Sequence, residues 1–436
     1  MRLIVQKMTT ALKGRIVPPA NKSISHRALM LGALAGGTTV IEGLLFAEDT
    51  LRTAAALQAL GVKIMGLEER GPVTVEGAGH DGLRQPPQPL YLGNSGTTMR
   101  LLAGILAACK FETELTGDDS LSSRPMDRIA IPLRLMGAHV EGRGERCLPP
   151  LKIRGAKLKA IEYVMPIASA QVKSAILLAG LFADGETVVI EPAPSRDHTE
   201  RMLACFGAEV FTHGPAIKVR GGCSLRGQRV RVPADISSAA PILAAASIVP
   251  GSDVVAERVG VNPLRIGILD VLRTMGAAPD VSAARLQSGE PVADVRMCCH
   301  PLHGTEIGGA MIPRLIDEIP VLCVVAAAAE GKTVVRDAQE LRVKESDRIA
   351  AIAEGLSRMG AAAEATPDGL IIEGARTLKG AQVNSRGDHR IAMALAVAGL
   401  VAEGETIIEQ AECIRTSYPD FARDLAALGA EVREEE

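Results

Sequence analysis

Apolar and polar positions along this chain follow a recurring order. An Ala- and Leu-rich run with helical spacing leads through a glycine-containing turn to a short β-branched strand. A second amphipathic helix follows and stops at a glycine. The order is repeated six times, with first helical runs beginning near His26, Met99, Ser174, Ser238, Ile319 and Ile391. The stops are Leu60-Gly61-Val62, Met136-Gly137-Ala138, Phe206-Gly207-Ala208, Met275-Gly276-Ala277, Met359-Gly360-Ala361 and Leu428-Gly429-Ala430. Stop glycines recur roughly every 69 to 84 residues. That period is too long for a solenoid repeat and suits a βαβ-containing unit.

Four of the strands after the turns are plain: Thr38–Ile41, Thr187–Ile190, Thr333–Val335 and Thr406–Ile408. Each is β-branched and follows Gly-Gly, Gly-Glu or Gly-Lys. Six such units divide most simply into two α/β domains of three. The expected break lies near Arg231–Asp235, where Val232-Pro233-Ala234-Asp235 interrupts the pattern. Residues 21–233 would form one domain, and 1–20 with 234–436 the other. Segment 1–20 precedes the first unit, and by pairing with the C-terminal half it would make the hinge two-stranded.

Length agrees with two domains, since 436 residues exceed what one core usually organises. Hydrophobic residues make up 47% of the chain, yet there is no Trp, three Tyr and six Phe. The core must therefore be aliphatic and Ala-rich. A net charge of −3 gives no reason to expect nucleic acid or an anionic membrane as partner. The longest uncharged run, Ile236–Ser252, contains Pro241 and Pro250 and falls short of the ~18 residues of a membrane span. The first residues lack the pattern of a signal peptide. Eight cysteines without a CxxC indicate reduced thiols in a cytoplasm. Cys298-Cys299-His300-Pro301-Leu302-His303 matches no common zinc spacing, so no metal is expected.

Candidate chemistry gathers at the strand-to-helix corners. In Leu92-Gly93-Asn94-Ser95-Gly96-Thr97-Thr98-Met99-Arg100 two glycines keep side chains clear of a helix start, where free backbone N–H groups and the helix dipole favour an anion. Pro19-Ala20-Asn21-Lys22-Ser23-Ile24-Ser25-His26-Arg27 opens the first helix with two cations and a hydroxyl, Lys22, Ser23 and Arg27, a receptor for phosphate or carboxylate. Arg124 lies in a polar loop before a helix, and Ser169 and Gln171 mark a third corner. Arg196 follows the third repeat's strand. In the second half Asp317 heads an apolar helix. Leu341-Arg342-Val343-Lys344-Glu345-Ser346-Asp347-Arg348 and Gly387-Asp388-His389-Arg390 concentrate charge. Each cluster alone reads at least as well as capping, dipole compensation or a solvated face. Their recurrence at equivalent places in five of the six repeats is what argues for a shared task.

The ordered set Asn-Lys-Ser-x-Ser-His-Arg, Leu-Gly-Asn-Ser-Gly-Thr-Thr-x-Arg, Leu-x-x-Arg-Pro-Met, Ser-Ala-Gln-Val-Lys-Ser, Arg-Val-Lys-Glu-Ser-Asp-Arg and Gly-Asp-His-Arg resembles the 5-enolpyruvylshikimate-3-phosphate synthase family across essentially the whole chain. The resemblance implies two similar domains, each of three βαβαββ units about a pseudo-threefold, an inside-out barrel arrangement with the active site in the cleft between them. It implies transfer of the enolpyruvyl group of phosphoenolpyruvate to the 5-hydroxyl of shikimate 3-phosphate with release of phosphate, in chorismate biosynthesis. It implies a cytoplasmic monomer needing no cofactor or metal. By motif, Lys22, Ser23, Arg27, Ser169, Gln171, Arg196, Asp317 and Lys344 would hold shikimate 3-phosphate. Lys22, Gly96, Arg124, Gln171, Arg348 and Arg390 would surround phosphoenolpyruvate, with Asn94 supporting the turn. Glyphosate, the family's herbicide inhibitor, would fill the phosphoenolpyruvate pocket.

The catalytic set implied is Asp317 as base on the hydroxyl, Glu345 for proton exchange at carbon, Lys22 as acid at the leaving phosphate, and His389 in support. Ala170 stands where many relatives have Ser. Arg415 is offset by one residue from a Lys common in the family and is not assigned to the site. A related enolpyruvyl transferase acts on a UDP-amino sugar and carries a reactive cysteine in a mobile loop of the first domain. Neither Cys109, inside an apolar helical run, nor Cys147 fits that role. A non-catalytic anion-binding scaffold is the remaining alternative, and Asp317, Glu345 and Lys22 at matching positions speak against it.

Overall fold

The computed structural model describes residues 1–374 and 377–436. Among the described residues the strands form six four-stranded sheets. The third repeat shows the plan: strand Glu162–Val164, helix Ala170–Gly180, strand Glu186–Ile190, helix His198–Cys205, then strands Val210–His213 and Ala216–Arg220. The first two strands pair in parallel, Glu162 opposite Val188, and the last two add antiparallel, Glu186 opposite Arg220. This is a βαβαββ unit. Three sheets complete themselves with a strand from elsewhere in the chain. Arg229–Arg231 pairs with Gly36–Glu42, Lys13–Ile16 with Asp253–Gly260, and Arg2–Val5 lies between Thr406–Glu409 and Val432–Glu435.

The chain divides into two compact units. One comprises Ala20–Val232 with Gln287–Glu290; the other comprises Met1–Pro19, Pro233–Leu286 and Pro291–Glu436. Each has its own aliphatic core. No helix among the described residues is long and apolar enough to cross a membrane.

The first helix of each repeat carries the core: α1 (Lys22–Leu34), α2 (Gly96–Leu106), α3 (Ala170–Gly180), α4 (Ile236–Ile248), α5 (Ile319–Ala328) and α6 (His389–Gly399). Every residue from Ile236 to Ser247 in α4 and from Ile319 to Ala327 in α5 is buried. Such helices are apolar all round rather than amphipathic, as expected for elements surrounded by protein. In α2, a Cβ at Gly104 would stand 2.3 Å from the Ala175 carbonyl of α3, so only glycine permits that approach.

Several of these helices begin two to four residues earlier than apolar periodicity suggested: α1 at Lys22 rather than near His26, α2 at Gly96 rather than Met99, α3 at Ala170 rather than Ser174. The cause is capping. Asn21, Ser95 and Ser169 accept the backbone N–H groups of Ile24, Thr98 and Val172 at 2.9, 3.2 and 3.4 Å. Polar motif residues therefore occupy helical first turns, not loops. At the other end, the six stop glycines all adopt left-handed backbone, with φ from +88° at Gly360 to +110° at Gly137. That conformation ends a helix at little cost only for glycine.

Candidate active site

In the unit built on α1 to α3, the helix starts are tied together by side chains. Lys22, the first residue of α1, places Nζ 3.0 Å from Asp49 Oδ2. One turn on, Arg27 is buried. Its Nε donates to Thr199 Oγ1 at 2.6 Å, Nη2 to Ser174 Oγ at 2.8 Å and Nη1 to the Ser23 carbonyl at 3.0 Å. Burial pushes the Arg27 guanidinium down to about 10, with Glu200 and Glu290 opposing and Arg196 adding to the effect. The side chain stays charged at neutral pH, and half-buried Arg196 is close enough for the two cations to repel.

Asn94 donates from Nδ2 to Asp118 at 3.0 Å and accepts from Arg124 Nη2, while Arg124 also reaches Ser120 Oγ at 3.1 Å. Arg124 is thus aimed at the turn that opens α2. Gln171 donates to Thr97 Oγ1 at 3.0 Å and accepts from Arg100 Nη1 at 2.7 Å, joining the first turns of α3 and α2. A Cβ on Gly96 would meet Arg100 Nη1 at 2.7 Å and Arg124 Nη1 at 3.2 Å. Gly96 has helical backbone, whereas Gly93 has φ +57°. The need for glycine at 96 is therefore space between guanidinium groups and not a left-handed turn. Lys22, Ser23, Arg27, Asn94, Gly96, Arg124, Ser169, Gln171 and Arg196 all belong to this unit, and Ser169 serves as the cap of α3.

Two buried networks beneath this cluster were not read from the sequence. Lys173 Nζ lies 2.9 Å from Glu191 and 2.6 Å from Glu200, and donates to the Ser195 carbonyl at 3.3 Å. Glu191 also accepts from Ser195 Oγ, so this knot braces the loop carrying Arg196. Lys173→Met would leave two buried carboxylates without their cation and should destabilise the protein by about 3–5 kcal/mol in urea unfolding. A loss below ~1 kcal/mol would show that the charges rearrange freely. The second network is a chain from His26 Nδ1 to Thr53 Oγ1 (2.7 Å), Thr98 Oγ1 (2.7 Å) and Ser95 Oγ (2.6 Å). Burial, partly opposed by Asp49, pushes His26 down to about 3, so the ring is neutral beneath the Gly96 turn.

The other unit holds Asp317, Lys344, Glu345, Arg348, His389 and Arg390. Asp317 lies in the short 3-10 turn Ile316–Glu318 that leads into α5. Its Oδ1 is 3.1 Å from Arg348 Nη1 and 3.4 Å from Lys344 Nζ, and its Oδ2 is 3.8 Å from Arg265 Nη1. Arg348 starts a helix, and its guanidinium reaches three carboxylates: Asp317, Glu345 at 2.6 Å and Asp388 at 2.8 Å. Burial works against the charge on Arg348, but Asp388, Glu345 and Asp317 outweigh it and raise its basicity. Asp388 caps α6 by accepting the Arg390 N–H at 2.9 Å. His389 is buried beside it, with Nδ1 4.0 Å from Asp388. Arg390 Nη1 donates to the Ser237 carbonyl at 2.5 Å. Pro241, four residues on in α4, has no N–H to offer that carbonyl, and Arg390 takes its place.

Arg265 was also missed. It follows Asn262, whose carbonyl and side chain accept from the Arg265 and Leu264 N–H groups at 2.8 and 3.0 Å. Its Nη2 donates to Asp235, the cap of α4, at 3.1 Å and to Ser237 Oγ, which in turn donates to Glu318. Neither Lys173 nor Arg265 carries a local signal beyond its charge, because each partner set is assembled by tertiary packing.

Arg415 lies apart from these residues and pairs with Glu434 at 3.0 Å. All eight cysteines are free thiols. Cys109 sits just past the end of α2 rather than within it, and burial pushes its thiol up to about 12. Burial likewise raises Cys147, so neither is a poised nucleophile.

Comparison with known proteins bears on all of this. The profile of the family described as EPSP synthase (3-phosphoshikimate 1-carboxyvinyltransferase) matches residues 6–425. A 3-phosphoshikimate 1-carboxyvinyltransferase of Desulforamulus reducens is 52% identical over 422 residues, covering 97% of this chain and 98% of that protein. One of Gloeobacter violaceus is 56% identical over 419 residues, 96% of each. Among solved structures, EPSP synthase from Acinetobacter baumannii superposes with a TM-score of 0.88 at 48% identity, covering 99% of this chain and 100% of the other.

Proposed function

The chain belongs to the EPSP synthase family, and from that premise we propose how its residues divide the work. The enzyme transfers the enolpyruvyl group of phosphoenolpyruvate to the 5-hydroxyl of shikimate 3-phosphate and releases phosphate, a step of the shikimate pathway to chorismate and the aromatic amino acids. Both substrates are multiply anionic. Holding two such anions in register lowers the barrier by converting a bimolecular encounter into a positioned one.

In this reading Ser23, Arg27, Ser169, Gln171, Arg196 and Lys344 bind shikimate 3-phosphate. Arg124, Arg348 and Arg390, with the α2 N-terminus at Gly96 supported by Asn94, bind phosphoenolpyruvate. Asp317 takes the proton of the 5-hydroxyl as its oxygen bonds to C2 of phosphoenolpyruvate. Glu345 delivers a proton to the methylene carbon, so C2 becomes a tetrahedral ketal. In the second half Glu345 removes a proton from the new methyl group, the electron pair reforms the C=C bond, and the C2–O bond to phosphate breaks. Lys22 protonates the departing phosphate oxygen, with His389 in support. Lys and Arg supply the positive charge throughout. The observation that carries the reading is the carboxylate of Asp317 set against Arg348 and Lys344, with Glu345 on the same guanidinium. A monomer is the acting unit in this reading, and free thiols support a cytoplasmic enzyme.

The division of substrates is tested by Arg124→Ala and Arg27→Ala. Losing a charged hydrogen-bond partner costs about 1.5–3 kcal/mol, or roughly 10- to 150-fold in affinity. Arg124→Ala should raise the KM for phosphoenolpyruvate by that factor and leave binding of shikimate 3-phosphate nearly unchanged. Arg27→Ala should do the reverse. The assignment fails if both variants weaken both substrates equally.

A further inference from the structure

We propose that Arg265 is a positioning residue for the reaction, holding the Asp317 carboxylate in the orientation and ionised form in which it accepts the substrate proton. The proposal rests on the assignment of Asp317 as the base. Arg265 is 4% exposed and stands in the turn before the helix Gly267–Thr274. Its guanidinium is a fork with one side on α4 and the other toward Asp317. Nη2 binds Asp235 Oδ1 at 3.1 Å and Ser237 Oγ, and Nη1 lies 3.8 Å from Asp317 Oδ2. Asp317 Oδ1 is meanwhile engaged by Arg348 and Lys344. Oδ2 thus faces the Arg265 guanidinium, while Oδ1 faces Arg348 and Lys344.

A second set of contacts makes this geometry rigid. Arg314, three residues before Asp317, donates from Nε to the Pro263 carbonyl at 2.8 Å and from Nη2 to Asp270 at 2.6 Å. Both partners flank Arg265 in sequence, so the segment carrying the base is clamped to the segment carrying the fork. Ser237 extends the network further, since its hydroxyl joins Arg265 to Glu318 and its carbonyl accepts from Arg390. Around Asp317 stand Arg265 before Gly267–Thr274, Lys344 from the loop after Gln339–Val343 and Arg348 from its helix, with Glu345 sharing the Arg348 guanidinium and Glu318 next in sequence. Asp235 and Asp388 stand behind these cations as their counter-charges.

The test compares Arg265→Met, Arg265→Lys and Asp317→Asn, alone and combined, in the full-length enzyme with both substrates. Arg265→Met should lower kcat by roughly 10- to 100-fold with both KM values within about threefold. Removing the cation should also move the acid limb of the log kcat profile to higher pH, because ionising the base loses a favourable partner. Arg265→Lys restores charge without the fork, so it should recover most of the limb position but little of kcat. In the Asp317→Asn background either change should cost almost nothing more. Normal kcat and an unmoved acid limb in the Lys and Met variants, beside an inactive Asp317→Asn, overturn the positioning role alone. Full additivity with Asp317→Asn does the same. Near-normal turnover in Asp317→Asn overturns the base assignment and this proposal with it. Should Arg265→Met fail to fold through its stranded carboxylates, Arg265→Lys and its double variant decide the matter.

Discussion

Asp317→Asn should lower turnover by ~10²–10⁴, the loss typical of a missing general base, while shikimate 3-phosphate binds within about tenfold of normal. The amide has nearly the same shape as the carboxylate but cannot take the hydroxyl proton. The surroundings explain why binding should survive. Arg348, Lys344 and Arg265 stand 3.1, 3.4 and 3.8 Å from the carboxylate oxygens. Removing one negative charge from their midst leaves the cluster more positive, which favours an anionic ligand and offsets the lost acceptor. The variant should also fold, since Arg348 keeps Glu345 and Asp388 as counter-ions. Pre-steady-state kinetics with both substrates, alongside a direct titration of shikimate 3-phosphate, separate the two quantities. Near-normal turnover would remove Asp317 from the role.

Gly96→Ala should raise the KM for phosphoenolpyruvate by about tenfold or more, spare that for shikimate 3-phosphate by comparison, and weaken glyphosate further still. The new methyl group would come within 2.7 Å of Arg100 Nη1 and 3.2 Å of Arg124 Nη1. Both atoms end flexible side chains, so the protein accommodates the change by moving guanidinium groups rather than backbone. Arg124 is the one assigned to phosphoenolpyruvate, which places the cost on that substrate. Arg100 holds Gln171, so a smaller effect on shikimate 3-phosphate is expected. Glyphosate has less freedom to shift and should suffer most. Stability points the other way: residue 96 is the first of a helix, and alanine is favoured over glycine in helices by up to ~1 kcal/mol. The variant's Tm should be unchanged or slightly higher. Equal weakening of both substrates with a large fall in Tm would sink the pocket assignment.

The repeats were legible because their signals are local. A helix that stops at a left-handed glycine writes that requirement into three consecutive residues, and the six stop glycines of the sequence all have positive φ. The strands were legible for the same reason, Thr187–Ile190 lying within Glu186–Ile190 and Thr406–Ile408 within Thr406–Glu409. Helix starts were less so. Capping was one reading of the stretches at Asn21, Ser95 and Ser169, and only the contacts of these side chains with backbone N–H groups fix where each helix begins.

Clusters of Lys, Arg and Ser at helix starts are what anion recognition requires of a chain, so the sequence by itself marked Lys22, Arg27, Arg124, Arg348 and Arg390 as candidates, and the ordered motifs identified the family. Which atoms face which was decided only in three dimensions. Arg27 bonds to Ser174 and Thr199, far along the chain, Arg390 to the carbonyl that Pro241 leaves free, and Arg348 to three carboxylates at once. Lys173 and Arg265 look in sequence like any other cation, because burial turns a charge from a solvated surface group into one whose partners must be supplied by the fold. Periodicity reports only neighbours within a few residues, and pairing energies of buried charges depend on distances that only the packed chain sets.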